Sequence, residues 1–344
     1  MRAIFFLFFF GTPHSACLCE SSQWCIPVKI MALRDRLNGY LKLPEAFWGI
    51  PPPTSGEPDV GILGVPHDLT SSYLPGCRFA PREIRKVTTS RWTHSYPLTV
   101  GYDEFKEFEP LTDMLTLEDI GDLEIELRQP EQAMYDMAGA AERLASSSSH
   151  LYFIGGDHYI TYPLIKGLEK GTGGNYGIVY LDAHADFNPD YGGYQLSHAT
   201  TLRRILEDDI VDKQDILAHD LRTAPPEHRK ELAGGEDVPI HTLESFSETI
   251  REIADRTDYI YVSIDIDVLK PDVAPGISHP EAGGLELVEL LQFIRACFES
   301  NKVKYVDLVE LNPMRDPNSI AAVAGREITK EVLTGFAYHK WQSE

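Results

Sequence analysis

Short, nearly continuous apolar runs punctuate the chain at 59–65 (DVGILGV), 151–154 (LYFI), 177–181 (GIVYL), 259–264 (YIYVSI) and 304–309 (KYVDLV). Runs of this length, without a regular polar face, read as strands buried on both sides. The segments between them carry small and apolar residues at helical spacing. Examples are 132–146 (QAMYDMAGAAERLAS) and 285–300 (LELVELLQFIRACFES), the second with a clear polar face. Strands alternating with helices predict an α/β fold, a parallel sheet with helices on both faces. The folded unit is read as a single domain within 31–344, its strand-and-helix body beginning near residue 45.

In open sheets of this kind ligands gather at the carboxyl ends of the strands, and that is where polar residues follow the apolar runs. The second run leads into Gly155-Gly156-Asp157-His158, the third into Asp182-Ala183-His184-Ala185-Asp186, the fourth into Asp265-Ile266-Asp267, and the fifth into Glu310-Leu311-Asn312-Pro313. Alternate residues of an extended segment share a face, so Asp182, His184 and Asp186 can point the same way, as can Asp265 and Asp267. Four converging carboxylates repel one another unless cations neutralise them. With His158 and His184 the set offers four oxygen-type and two imidazole ligands. That mix suits two divalent ions of intermediate hardness, Mn²⁺ first, with Ni²⁺, Co²⁺ or Zn²⁺ as other occupants. Two ions roughly 3.5–4 Å apart can acidify a shared water, giving a nucleophile for a trigonal carbon without Ser or Cys.

Charge narrows the partners. The 344 residues carry 31 Lys and Arg against 53 Asp and Glu, a net charge of −22. Such a surface disfavours nucleic acid and anionic membranes and attracts a small cation, although a solubility role for the acidity is an equally good reading. Residues 1–30 stand apart. They hold a short Phe-rich run at 4–10, too short to span a bilayer, and three of the five cysteines, Cys17, Cys19 and Cys25. This leader reads either as signal-like or as sequence upstream of a true start at Met31, and the second reading is preferred. Only Cys77 and Cys297 remain beyond it, too few for a disulfide framework, which points to a reducing, cytoplasmic setting.

GGDH (155–158), DAHAD (182–186) and SIDIDVLKPDVAPG (263–276) resemble the three signature blocks of the ureohydrolase (arginase/agmatinase) superfamily. The segment 64–85 (GVPHDLTSSYLPGCRFAPREIR), DIGD (119–122), PEAGGL (280–285) and ELNP (310–313) are similar to blocks of its agmatinase branch, so the resemblance spans most of 58–315. It implies a three-layer, arginase-like fold and a pair of metals. One would be held by His158, Asp182, Asp186 and Asp265, the other by Asp182, His184, Asp265 and Asp267, with Asp182 and Asp265 bridging. It also implies that Glu310 pairs with the substrate guanidinium and that His198 shuttles a proton, although Ser197-His198-Ala199-Thr200 departs from the usual His-Gly. His279 departs from the small residue usual at its position. The remaining histidines read as bland: His219, His228, His241 and His339 as surface residues, and His67 as a possible neighbour of the site.

The expected reaction is hydrolysis of a small cationic guanidino compound to urea and an amine, agmatine to putrescine first. Guanidinobutyrate, guanidinopropionate, free guanidine and arginine are the other substrates. Asn188 is arginase-like and could hold a substrate carboxylate. Asp190, in a loop (187–197) with Tyr191 and Tyr194 but no Lys or Arg, would favour an amine tail. The resemblance further implies a homo-oligomer, trimeric or hexameric. Of the other classes, a metallophosphatase would need a GNHE-like block that the sequence lacks, and a metal-free, catalytically silent interaction protein sits poorly with six filled ligand positions.

Overall fold

Each apolar run forms a strand in the computed structural model, which describes residues 33–37, 40–42, 47–50, 56–88, 95–96, 109–235 and 238–343. The leader (1–30) and Met31 lie outside the described residues. The strands are β1 (Leu41–Lys42), β2 (Val60–Val65), β3 (Leu117–Leu123), β4 (His150–Gly155), β5 (Tyr176–Leu181), β6 (Val211–His219), β7 (Tyr259–Asp265) and β8 (Val303–Val309). They lie in one sheet in the order β1-β3-β2-β4-β8-β7-β5-β6, all pairs parallel except β1 against β3.

Helices cover both faces, giving three layers. Helices Ala80–Val87, Leu243–Arg256, Leu287–Cys297 and Ile320–Ser343 pack on one face through residues such as Ile84, Ile250, Ile294 and Ile328. Pro130–Ala145, Thr161–Thr172 and Thr201–Glu207 pack on the other through Met137, Leu164 and Leu202. Burial on both sides is why β2, β5 and β8 are apolar almost throughout. No described helix is long and apolar enough to cross a membrane.

Register aligns the ends of the four central strands. Ile154 of β4 pairs with Leu308 of β8, Leu308 with Ile264 of β7, and Ile264 with Leu181 of β5. The residues that follow each therefore emerge side by side along one rim. At β4 this needs glycine: a Cβ on Gly156 would lie 1.8 Å from the carbonyl oxygen of His67.

Three strands were not legible as apolar runs. β1 has only two residues. β6 begins Val211-Asp212-Lys213-Gln214, with the last three exposed at the sheet edge. β3 (LEDIGDL) is fully buried yet polar, because Arg85 from the covering helix neutralises it. The Arg85 guanidinium donates to both oxygens of Asp119 at 2.9 Å and to Asp122 at 2.6 Å.

Candidate metal centre and substrate cavity

The rim brings together all six residues proposed as ligands. His158 opens a short 3-10 turn (His158–Ile160) after β4. Its Nδ1 lies 3.0 Å from Asp182 Oδ2, 3.1 Å from Asp265 Oδ2 and 3.3 Å from Asp186 Oδ2. The ring stacks flat on Tyr180, centroids 4.5 Å apart, and the Tyr180 hydroxyl donates to Asp186. On the other side His184 Nδ1 lies 2.8 Å from Asp267 Oδ2 and 3.5 Å from Asp182 Oδ1. Two groups able to hold an ion result, His158–Asp182–Asp186 and Asp182–His184–Asp267, sharing Asp182. Asp265 touches the first group through Oδ2, while its Oδ1 accepts the Asp267 N–H.

The donor set fits divalent cations. His158 Nε2 is 2.8 Å from the Ser263 hydroxyl, which itself donates to Asp307. Ser263 thus accepts from Nε2–H, and Nδ1 is left facing three carboxylates. One proton there could satisfy only one of them. Asp182 Oδ2 is buried and has no hydrogen bond, despite its closeness to Nδ1. Burial, with Asp182 beside it, pushes Asp186 up to about 8. Burial and the neighbouring Asp267 and Asp182 push Asp265 well above the carboxylate range. For Asp182 burial acts in the same sense, but His158 and His184 outweigh it and hold the group low. Carboxylates this crowded need positive charge between them.

Glu310 faces the same space. It sits just beyond β8 with φ 64, a left-handed conformation uncommon outside glycine that turns the chain at the strand end. Its Oε1 accepts the His158 backbone N–H at 2.9 Å, and its Oε2 receives the Cys77 thiol at 3.4 Å. Burial raises its pKa. Cys77 was not singled out by the sequence, although it lies within the block 64–85.

His198 opens a 3-10 turn (His198–Thr200) capped by Ser197. Its Nδ1 donates to the carbonyl of Thr70 at 2.6 Å, and its backbone N–H donates to the Thr70 hydroxyl. Burial lowers its pKa to about 3, so the imidazole is neutral and Nε2 is an acceptor.

A cavity of about 230 Å³ joins these groups. His184, Asp186, Asp265, Asp267, Glu310 and His198 line it, together with Asn188, Tyr191, His228 and His279. Asn188 donates through Nδ2 to the Ala199 carbonyl, which fixes its amide at the wall. Asp190 does not line this cavity. It is exposed and accepts the Gly193 N–H within its own loop. It lines instead a second cavity of about 850 Å³, with Glu131, Tyr194 and Gln129; Ser72 and Tyr191 line both cavities.

Three histidine readings are corrected. His228 lines the first cavity rather than facing bulk solvent. His219 and His339 are core residues, 4% and 8% exposed, packed on Phe293 and Phe298 respectively. His67 lies outside the cavity lining, and its Nε2 meets the Arg128 carbonyl. Sequence reasoning also passed over Thr70 and Ser72. Their signal was positional, hydroxyls in the loop beyond a buried strand.

The model of the Arginase family matches residues 58–335 of the chain. An agmatinase from Bacillus cereus is 32% identical over 288 residues, 83% of this chain and 94% of that protein. A guanidinobutyrase from Pseudomonas aeruginosa is 31% identical over 284 residues, 80% of this chain and 85% of that protein. Among solved structures, a proclavaminate amidino hydrolase from Streptomyces clavuligerus superposes with a TM-score of 0.71 at 27% identity, covering 87% of this chain and 98% of that one.

Proposed function

The chain belongs to the arginase family, and from that premise we propose that it is a dinuclear-metal ureohydrolase that converts agmatine and water to putrescine and urea. The observation that carries this reading is the meeting, in one cavity, of a cation-demanding Asp/His cluster with the buried carboxylate of Glu310. His158, Asp182, Asp186 and Asp265 would hold one ion and Asp182, His184, Asp265 and Asp267 the other. Manganese is the metal that best suits four carboxylates and two imidazoles. When bound, the ions supply a water acidified enough to act as a nucleophile near neutral pH.

The chain's own residues do the rest. Glu310, held by the His158 N–H, presents carboxylate oxygen to the edge of a planar guanidinium. The face of the guanidino carbon is thereby left toward the ion cluster. A carbon–oxygen bond forms at that carbon, the bond to the alkyl-bearing nitrogen breaks, and that nitrogen leaves with a proton. His198 is the residue assigned to move the proton. Any proton it takes or gives passes through Nε2, where the Ser72 hydroxyl lies 3.2 Å away, because Nδ1 is committed to the Thr70 carbonyl.

Agmatine's ammonium tail would leave the first cavity past Tyr191. The adjoining second cavity is lined by Glu131 and Asp190 and by no Lys or Arg, which favours a cationic tail over an anionic one. Asn188 would line the path of the tail. A cytoplasmic enzyme of polyamine biosynthesis, assembled as a trimer or hexamer, completes the reading. Urea release measured over agmatine, guanidinobutyrate, guanidinopropionate, guanidine and arginine tests it: agmatine should give the highest kcat/KM. Turnover of none of the five would overturn the assignment.

A further inference from the structure

Two imidazoles and one hydroxyl form a closed arrangement at the cavity wall. His198 and His279 stack nearly parallel, centroids 4.9 Å apart at 12°. The Ser72 hydroxyl lies between them, 3.2 Å from His198 Nε2 and 3.1 Å from His279 Nε2. A hydroxyl carries one proton, so the three protonation choices are linked. His198 Nδ1 must carry hydrogen, since a carbonyl can only accept. In the neutral ring Nε2 is then a lone pair, and Ser72 donates to it. The oxygen of Ser72 is left to accept, so His279 Nε2 carries the hydrogen. In a neutral His279 ring, Nδ1 is then an unprotonated acceptor. It faces Glu310 Oε2 at 3.9 Å, too long for a direct hydrogen bond. A single NH₂ group entering from the cavity can reach both acceptors.

We infer that His279 is a substrate-recognition residue, its Nδ1 accepting one N–H of the guanidinium whose neighbouring N–H is held by Glu310, with Ser72 fixing the tautomer that makes this possible. The inference rests on the guanidino reading of the cavity. It adds a second acceptor to Glu310, supplied by a residue that departs from the small side chain usual at this position. Recognition by two acceptors set at an angle favours the planar fork of a guanidinium over an ammonium, which carries no paired, coplanar N–H groups. A cationic His279 would act in the opposite sense, pairing with Glu310 and competing with the substrate. The two arrangements give opposite results when the ring is removed.

The test is steady-state urea release from agmatine by the manganese-loaded full chain, as wild type and as His279→Ala, His279→Asn and Ser72→Ala, with bound metal counted in each. A hydrogen bond to a charged group is worth roughly 10–100-fold in binding. His279→Ala should raise KM by about that factor, with kcat changed only a few-fold and metal content unchanged. His279→Asn, which retains an acceptor, should recover part of the loss, and Ser72→Ala should raise KM by less than His279→Ala. An unchanged or lowered KM in His279→Ala would overturn the inference. So would a fall in kcat at constant KM, which would make His279 a proton-transfer residue. If His279→Ala does not fold, a wild-type KM in His279→Gln, whose longer amide cannot keep the geometry, overturns it equally. Wild-type protein that binds manganese but releases urea from no guanidino compound would instead remove the functional reading on which the inference stands.

Discussion

Two clusters of buried carboxylates lie in this molecule, and they solve the same electrostatic problem differently. At β3, Asp119 and Asp122 are neutralised from within: Arg85 spans both, its side chain 2% exposed. At the rim formed by β4, β8, β7 and β5, Asp182, Asp186, Asp265 and Asp267 have no such partner. Among the described residues their ion pairs are with His158 and His184 alone. Two imidazoles, even both protonated, cannot balance four ionised carboxylates. The first cluster is complete as a structural element. The second is complete only with cations, and it lines a cavity where the first does not. Burial alone therefore does not separate function from structure in this fold; the missing counter-charge does.

The sharpest way to break the contrast is at the shared ligands. Asp182→Asn or Asp265→Asn should abolish urea release and cut bound metal, a larger loss than the roughly 10–100-fold typical of outer-sphere partners. Metal counting and urea assay on the same preparation check it. The matching change in the other cluster, Arg85→Leu, should act on stability instead. Removing one partner of a buried ion pair costs roughly 3–5 kcal/mol, measurable by denaturant unfolding. The metal count of the fraction that folds should not change, and a variant as stable as wild type would refute the structural role of Arg85.

Smaller effects refine the functional side. His198→Asn should lower kcat by roughly 10²–10⁴-fold with normal metal content. Loss of metal in this variant would show that His198 supports the ligands rather than moving a proton. The smallest expected change is at Asp190, one of two carboxylates lining the second cavity. Asp190→Asn should narrow the preference for agmatine over guanidinobutyrate by a few-fold at most, since an exposed charge pair contributes little. Relative kcat/KM for the two substrates reads this directly, and an unchanged ratio would place the tail elsewhere.

Much of this was legible in the chain itself. The central strands announced themselves because burial on both faces demands continuous Val, Ile and Leu, and the polar residues at their ends followed from where such strands stop. β3 escaped because its polarity is matched by Arg85, more than thirty residues earlier, a pairing that no local pattern encodes. The edge strand β6 escaped because exposure lets Asp212, Lys213 and Gln214 replace apolar residues. At the site, the ligand spacings were readable because alternate residues share a face. What periodicity could not supply were groups brought in by tertiary packing: Ser72 and Thr70 against His198, Cys77 against Glu310, and His279 stacked beside them. The charge of Asp190 and its loop are visible in the sequence, but its place at the second cavity and its hydrogen bond from Gly193 depend on the loop's closed shape.

Cation demand at the rim is the central claim, and counting the ions tests it most directly. Protein stripped with a chelator and titrated calorimetrically with Mn²⁺, with urea release from agmatine followed in parallel, should bind two equivalents per chain. Activity should return with them. Urea release at full rate from protein carrying less than one ion per chain, or no saturable binding of Mn²⁺, Ni²⁺, Co²⁺ or Zn²⁺, would contradict the account.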